Sequence, residues 1–266
     1  MSKKEVKIIE RLRSDEEYYG DLGRQYISNS DIQTLIEDPE QYGNKIEDNE
    51  NFAKGRYMHQ LILEPGKAKD FLIADVVRRD AKYKKFCEDN NVSFALKRSE
   101  ADEIKEIVDW FMDENNPKTT SILEWITNFD AQYETPMIKK MHGLNFKCKA
   151  DIITRDKDNS PVIIDIKSSR DVRKFMRNSP FYYYDSQAYI YQELFSMPMI
   201  FVVIGKEKKY SVRTKKNYYD VGVFTCSDQF IESGKAKVEK AVSEYNRLHG
   251  DNPTEDIESL IITGVL

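Results

Sequence analysis

Asp151 stands fourteen residues before Asp165, and Lys167 follows two residues after the second Asp. Each carboxylate falls in a segment that reads as a strand, KCKADIITR and VIIDIKSS, with only the turn cluster from Asp156 to Pro161 between them. Neighbouring antiparallel strands can bring two such side chains within reach of one cation. Burying two unpaired carboxylates is costly. A hard divalent cation such as Mg²⁺ offsets that cost, because it takes carboxylate, carbonyl and water oxygens. Lys167 lies two residues beyond Asp165 and so projects from the same strand face. An ammonium there can orient an attacking water, help to deprotonate it, or counter charge developing on phosphorus oxygens. Asp-x-Lys alone is an everyday surface alternation. An apolar strand preceded by a second strand-borne Asp makes this one informative.

The elements that must position these groups follow from hydrophobic spacing. The stretch YISNSDIQTLIEDPEQYG predicts a short helix capped by Ser30 or Asp31, with Ile32, Leu35 and Ile36 as its apolar stripe and Pro39 beyond its end. A polar run, NKIEDNEN, leads to a second helix in FAKGRYMHQLILEP, with Phe52, Met58, Leu61 and Ile62 as its apolar positions and Pro65 as its stop. Residues 66–98 are lysine-rich and show no clean period. SEADEIKEIVDWFMDEN is amphipathic, with Ile104, Ile107, Val108, Phe111 and Met112 on one face. After residue 130 the period changes to that of strands. AQYETPMIKKM and LNFKCKADIITR meet at His142-Gly143, and VIIDIKSS completes a three-strand meander whose last strand is apolar enough to be central. PFYYYDSQAYIYQELF is helical in its second half, MIFVVIG and YYDVGVFTCS are further strands, and Asp228 to Leu248 is a closing helix. The order predicts one α/β domain over residues 1–266: a helical extension over 1–50, a core of mixed sheet and helices over 51–250, and an apolar tail over 251–266 that packs against it.

The net charge of −5 does not announce a nucleic-acid binder, but its distribution is uneven. From Lys139 to Arg177 there are eleven Lys or Arg against five Asp, an excess of six. Such a stripe can track phosphates while the rest of the surface stays acidic. Lys149, Ser168, Arg170, Arg173 and Lys174 are its candidate DNA contacts. The scattered Cys87, Cys148 and Cys226 form neither a zinc pattern nor a disulfide framework, so buried or half-buried free thiols are expected. No apolar run approaches the roughly 18 residues that cross a bilayer, and the N-terminus lacks the apolar core of a signal peptide. A cytoplasmic protein is expected.

Four patterns stand in a fixed order: Gly55-Arg56-Tyr57-Met58-His59, Lys149-Ala150-Asp151, Asp165-Ile166-Lys167 and Gln187-Ala188-Tyr189-Ile190-Tyr191. Across roughly residues 25 to 205 the sequence thereby resembles the RecB-type nucleases of the PD-(D/E)XK superfamily. They match that group's G-x-x-x-H helix, first Asp, (D/E)-x-K strand and Q-x-x-x-Y helix. The phage-type exonuclease VIII (RecE-like) group is the most similar, through the ISNSDIQTLIEDPEQY-like segment before the first motif and the LILEP-like stretch after it.

The resemblance implies a restriction-endonuclease-like core and a role for each matching residue. Asp151 and Asp165 would be the main metal ligands, the Ile166 carbonyl a third, and His59 a ligand or a group beside the metal. Glu134 would reach a second metal or be an ordinary polar strand residue. Gln187 and Tyr191, four apart on one helix face, would touch phosphates at the scissile end or support Lys167. The run from Phe181 to Tyr184 would pack in the core or stack on a frayed base. Lys149 replaces an arginine common beside the first Asp, keeping the charge but losing the bidentate fork. Three scattered cysteines make the iron–sulfur cluster of some RecB-type nucleases untenable here.

The implied activity is Mg²⁺-dependent phosphodiester hydrolysis, with Mn²⁺ as a substitute. At the level of the subgroup it is 5′-to-3′ digestion of double-stranded DNA from its ends, leaving 3′ single strands for a phage annealing protein, with a ring-shaped homo-oligomer and no membrane partner. A structure-specific or repair endonuclease on the same fold, an RNA substrate and a catalytically idle DNA-binding subunit are the rival readings.

Overall fold

The computed structural model describes residues 2–44, 48–257 and 260. The chain begins with helices α1 (Lys3–Arg11), α2 (Asp15–Tyr19), α3 (Asn29–Glu37) and α4 (Glu50–Leu63), then a single turn, α5 (Pro65–Ala68). The aperiodic stretch holds strand β1 (Ile73–Ala74), helix α6 (Ala81–Asp89) and strand β2 (Leu96–Lys97), followed by α7 (Arg98–Phe111) and α8 (Thr120–Ile126). The meander is β3 (Gln132–Met141), β4 (Leu144–Arg155) and β5 (Pro161–Ser169). A turn, α9 (Phe175–Asn178), and helix α10 (Tyr184–Phe195) carry the chain to β6 (Met199–Gly205). A hairpin, β7 (Lys209–Ser211) and β8 (Lys216–Tyr218), precedes β9 (Val221–Thr225) and the last helix, α11 (Asp228–Leu248).

The main sheet has the order β3-β4-β5-β6-β9. His142 and Gly143 both take positive φ, 49° and 85°, which is the two-residue turn that suits a hairpin's twist. Within this sheet, among the described residues, only β5 and β6 run parallel, and a parallel step needs a crossover, which α10 supplies. Both faces are covered, so β5 and β6 read as continuous apolar runs. One face packs Cys148, Ala150, Ile163, Phe201 and Val203 with residues of α3, α10 and α11. The other packs Ile152, Ile164, Ile166, Val202 and Ile204 with residues of α4, α7 and α8. The sheet is therefore mixed, central and flanked by helices, as the meander and the following elements lead one to expect.

Ala150 and Ile152 lie two apart yet enter opposite cores. In a regular strand they would share a face, so β4 changes face at Asp151. Its pairing with β5 begins only after that point, from Ile152↔Ile164 to Arg155↔Pro161. Toward its start β4 turns this open edge to the N-terminal extension. There Ile27 donates its N–H to the Asn145 carbonyl and accepts from the Lys147 N–H, both at 2.9 Å.

Two local expectations need correction. Ser28, not Ser30 or Asp31, caps α3; Asp31 reaches back to the Ser28 N–H at 2.7 Å and hydroxyl at 2.6 Å. A carboxylate at the third helical position satisfies an orphan donor in just this way. Phe52 is 49% exposed rather than part of the helix's apolar face. The aperiodic 66–98 stretch is ordered around a small cluster of Ala74, Cys87 and Ala95. The cysteines are free, with Cys87 and Cys148 buried and Cys226 half-buried. Residues 258–259 and 261–266 of the apolar tail, and residues 45–47 of the polar run before α4, lie outside the described residues. Among the described residues no helix is long and apolar enough to cross a membrane.

Candidate metal centre

Because β4 and β5 part beyond Ile152 and Ile164, the backbone of Ile166 has no β4 partner. Two side chains replace it. Asp151 Oδ2 accepts the Ile166 N–H at 2.8 Å, and His59 Nε2, from α4, lies 2.7 Å from the Ile166 carbonyl oxygen. A carbonyl only accepts, so Nε2 carries the proton and the lone pair is on Nδ1. That nitrogen lies 3.6 Å from Asp151 Oδ2.

Glu134 joins from β3. In the β3–β4 register it falls between Tyr133↔Ile152 and Thr135↔Ala150, opposite Asp151, and its backbone is left-handed with φ 46°. His59, Glu134 and Asp151 thus offer ligand atoms all within 4.8 Å of one another. Imidazole and carboxylate oxygens suit a divalent cation. The charges fit one as well. Burial, reinforced by Asp165, pushes the Asp151 carboxyl well above its usual range. Burial and then Asp151 push Glu134 up to about 7. Burial and the Lys167 ammonium lower His59, which favours the neutral ring a metal requires. A cation between these groups offsets both the cost of burying their charges and the repulsion between them.

Asp165 is almost fully buried and stands apart from that trio. Its Oδ1 accepts from Gln187 Nε2 at 2.5 Å, and its Oδ2 lies 2.6 Å from Lys167 Nζ. That Oδ2 has no partner in hydrogen-bond geometry, so a buried lone pair is left over beside the cluster. Burial opposes the Lys167 charge, but Asp165, Tyr184 and Asp151 outweigh it and the pKa is raised. Glu134 and His59 thus sit with Asp151, while Asp165 is engaged by Gln187 and Lys167.

Gln187 and Tyr191 reach from α10 to β5 and β4. Gln187 holds Asp165 rather than Lys167, and the Tyr191 hydroxyl donates to the Lys149 carbonyl at 3.0 Å. Buried Tyr191 is closed to a phosphate. Lys149 is also not a surface contact. It is buried, its Nζ lies 2.6 Å from Asp15 Oδ1, and the Tyr18 ring covers it at 4.6 Å. Nothing local in the sequence couples residue 149 to residues 15 and 18, so this covering by α2 is not readable from spacing. Ser168, Arg170 and Lys174 line an open cleft beside Lys167, together with Tyr182 and Tyr184. Arg173 is on the same turn of chain. The aromatic run divides: Tyr183 is buried, whereas Phe181 and Tyr182 are 75% and 60% exposed.

A model of the family described as a PDDEXK-like domain of unknown function, DUF3799, matches residues 28–255. No curated protein matches the sequence. Among solved structures, a candidate exonuclease from Eubacterium rectale is similar over 88% of this chain and 85% of its own, with a TM-score of 0.58 at 16% identity. That likeness bears on the fold alone. A phage related exonuclease from Haemophilus somnus 129PT aligns over 84% of this chain and 94% of its own, at a TM-score of 0.32 and 13% identity. A score that low carries no argument.

Proposed function

This chain belongs to the PDDEXK-like family whose model matches residues 28–255, and from that premise we propose that it is a divalent-metal-dependent deoxyribonuclease. The observation that carries the reading is the parted end of β4 and β5. There the ligand atoms of His59, Glu134 and Asp151 lie within 4.8 Å of one another, with the Lys167 ammonium beside them. Asp151, Glu134 and neutral His59 would hold the cation, with Asp165 and the Ile166 carbonyl as further oxygens; Mg²⁺ is the expected ion and Mn²⁺ its substitute. When bound, a divalent cation supplies Lewis acidity toward the phosphate and lowers the pKa of water. Lys167, kept charged beside Asp165, faces the developing charge on the phosphate oxygens and orients the nucleophile. Gln187 and Tyr191 keep β4 and β5 in place around these groups.

In finer detail the reading is a 5′-to-3′ exonuclease on double-stranded DNA ends, producing 3′ single strands for recombination by annealing. Residues 1–50 form an extension, 51–250 the catalytic core and 251–266 a tail of one nuclease domain. A ring-shaped homo-oligomer, an annealing-protein partner and a cytoplasmic location belong to the same proposal.

The test is digestion of linear, nicked and closed circular duplex DNA, with each end labelled separately, in Mg²⁺ and in EDTA. Loss of linear DNA alone, from its 5′ ends and only with Mg²⁺, is expected. Cutting of closed circles would replace the exonuclease by an endonuclease, and no cutting with any metal would sink the nuclease. Lys167→Ala should lower cleavage by roughly 10³-fold or more while DNA binding persists; equal rates would remove Lys167 from the mechanism.

A further inference from the structure

A line of rings leads away from the metal centre. Lys167 Nζ sits 5.0 Å from the Tyr184 ring centroid, and Tyr184 lies 5.8 Å from Tyr182, their planes 37° apart. Tyr182 is 60% exposed and forms one wall of the cleft that Ser168, Arg170 and Lys174 also line. Phe181, next in the chain, is 75% exposed, so an apolar face here is left to solvent.

The connection from β6 to the β7–β8 hairpin borders the cleft. Arg170 reaches Glu207 at 3.0 Å, and the Lys206 N–H donates to the Ser169 carbonyl at 2.9 Å. Residues 206–216 hold six Lys or Arg and one Glu, a local charge of +5 in a chain whose net charge is −5. Lys208 pairs with Glu106 and Lys209 with Asp220. Among the described residues, Arg213, Lys215 and Lys216 make no ion pair. Tyr210 is 61% exposed on the same hairpin. An isolated exposed tyrosine means little. At the cleft Arg170 and Lys174 are paired with Glu207 and Asp171, so the uncompensated cations are those of the hairpin, where the exposed Tyr210 ring stands among them.

We infer that this cleft and hairpin form a track for an unpaired polynucleotide strand, with a base stacked on Tyr182 and phosphates running past Arg170 and Lys174 to Arg213, Lys215 and Lys216. Stacking on a side-chain ring needs an open base face, which a duplex covers with its own neighbours. The track therefore takes the strand that has separated from its complement, not the duplex. The inference uses the nuclease reading to name the polymer, and its binding can be measured apart from cleavage.

Fluorescence anisotropy in EDTA, with a labelled single-stranded oligonucleotide and a blunt duplex of the same sequence, tests it. Tyr182→Ala should weaken single-strand binding by roughly tenfold and leave the duplex nearly unchanged, while Tyr182→Phe keeps the ring and the affinity. The triple change Arg213→Glu, Lys215→Glu and Lys216→Glu should flatten the salt dependence by about two, since each phosphate contact in a single strand contributes about 0.7 to the slope. A 2-aminopurine base should be quenched by the wild type and not by Tyr182→Ala. Unchanged single-strand affinity in both variants overturns the track, and equal losses on strand and duplex overturn its single-strand character. Thermal melts like the wild type's confirm that the variants fold, as expected for exposed positions. Variants that lose binding to a wild type that binds but cuts nothing leave the track standing and remove the nuclease. A wild type that cuts, with variants that bind as it does, removes the track and leaves the nuclease standing.

Discussion

Glu134 holds a left-handed backbone, φ 46°, near the start of strand β3, across from Asp151. Non-glycine residues rarely take that conformation, and where they do it commonly marks a functional site. Its carboxyl is pushed up to about 7 by burial and by Asp151. The ordinary value is 4.5, so between these two values the folded, metal-free protein holds more protons than the unfolded chain and loses stability as pH rises. Cation binding runs the other way, because the carboxyls must first release those protons. Mg²⁺ affinity should therefore rise as pH increases toward 7, by up to about tenfold per pH unit for each proton displaced, and Glu134's contribution should level off above it. Calorimetric titration in buffers of different ionisation heat would count the protons; a flat profile would take Glu134 and Asp151 out of the ligand set. Asp151, Asp165 and Lys167 were legible in the sequence because strand period and the short turn fix their relation. Glu134 entered only through the family resemblance, as a residue that would reach a second metal or be an ordinary polar strand residue, and no pattern announces its positive φ in a strand.

At the scale of elements, the short acidic helix α2 lies over the basic side chains of β4. Asp15 pairs with Lys149 at 2.6 Å, and the Tyr18 carbonyl accepts from Lys147 at 2.6 Å. The Tyr18 ring also lies over both ammonium groups, at 4.3 and 4.6 Å. Burial lowers Lys147 to about 8. Lys149 is 8% exposed, so removal of its carboxylate leaves a charge that water reaches poorly. Asp15→Ala should cost on the order of 1–3 kcal/mol, more than a typical exposed pair and less than a fully buried one, as Asp15 is itself half-exposed. Urea unfolding measures it, and a loss near zero would show that Lys149 finds water or another partner. The family match begins at residue 28, after this helix. Sequence spacing located the helix that carries Ile32 and Leu35, because an apolar stripe is local. It was silent on α2, whose role rests on contacts across 134 residues.

For the whole molecule, the metal centre lies where the two cores meet. His59 comes from a helix packed on one face of the sheet, and Gln187 from a helix packed on the other. A cation held there binds the folded protein and not the unfolded chain, so it should raise the melting temperature, by about 2.7 kcal/mol of stability at a hundred times its dissociation constant. Asp151→Asn keeps an acceptor for the Ile166 N–H and should abolish the rise; an undiminished rise would place the cation elsewhere. The order of the main-sheet strands and of α10 and α11 was readable from residue 130 onward, where strand alternation and long helical stripes are strong, and α11 runs from Asp228 to Leu248 as its stripe required, whereas the three-residue strands of the β7–β8 hairpin were not anticipated. Residues 66–98 were unreadable because two-residue strands and a nine-residue helix are too short to show a period.

One amide proton lies at the junction of all this. The Ile166 N–H, in the middle of the sheet, bonds to a carboxylate rather than to a neighbouring strand. Its exchange with deuterated solvent is then governed by how firmly Asp151 is held. Added Mg²⁺ should slow exchange at Ile166 well beyond the slowing at Ile164, whose amide belongs to the regular ladder. The backbone would in this way carry its own gauge of whether the site is filled, legible by exchange without any label or substrate.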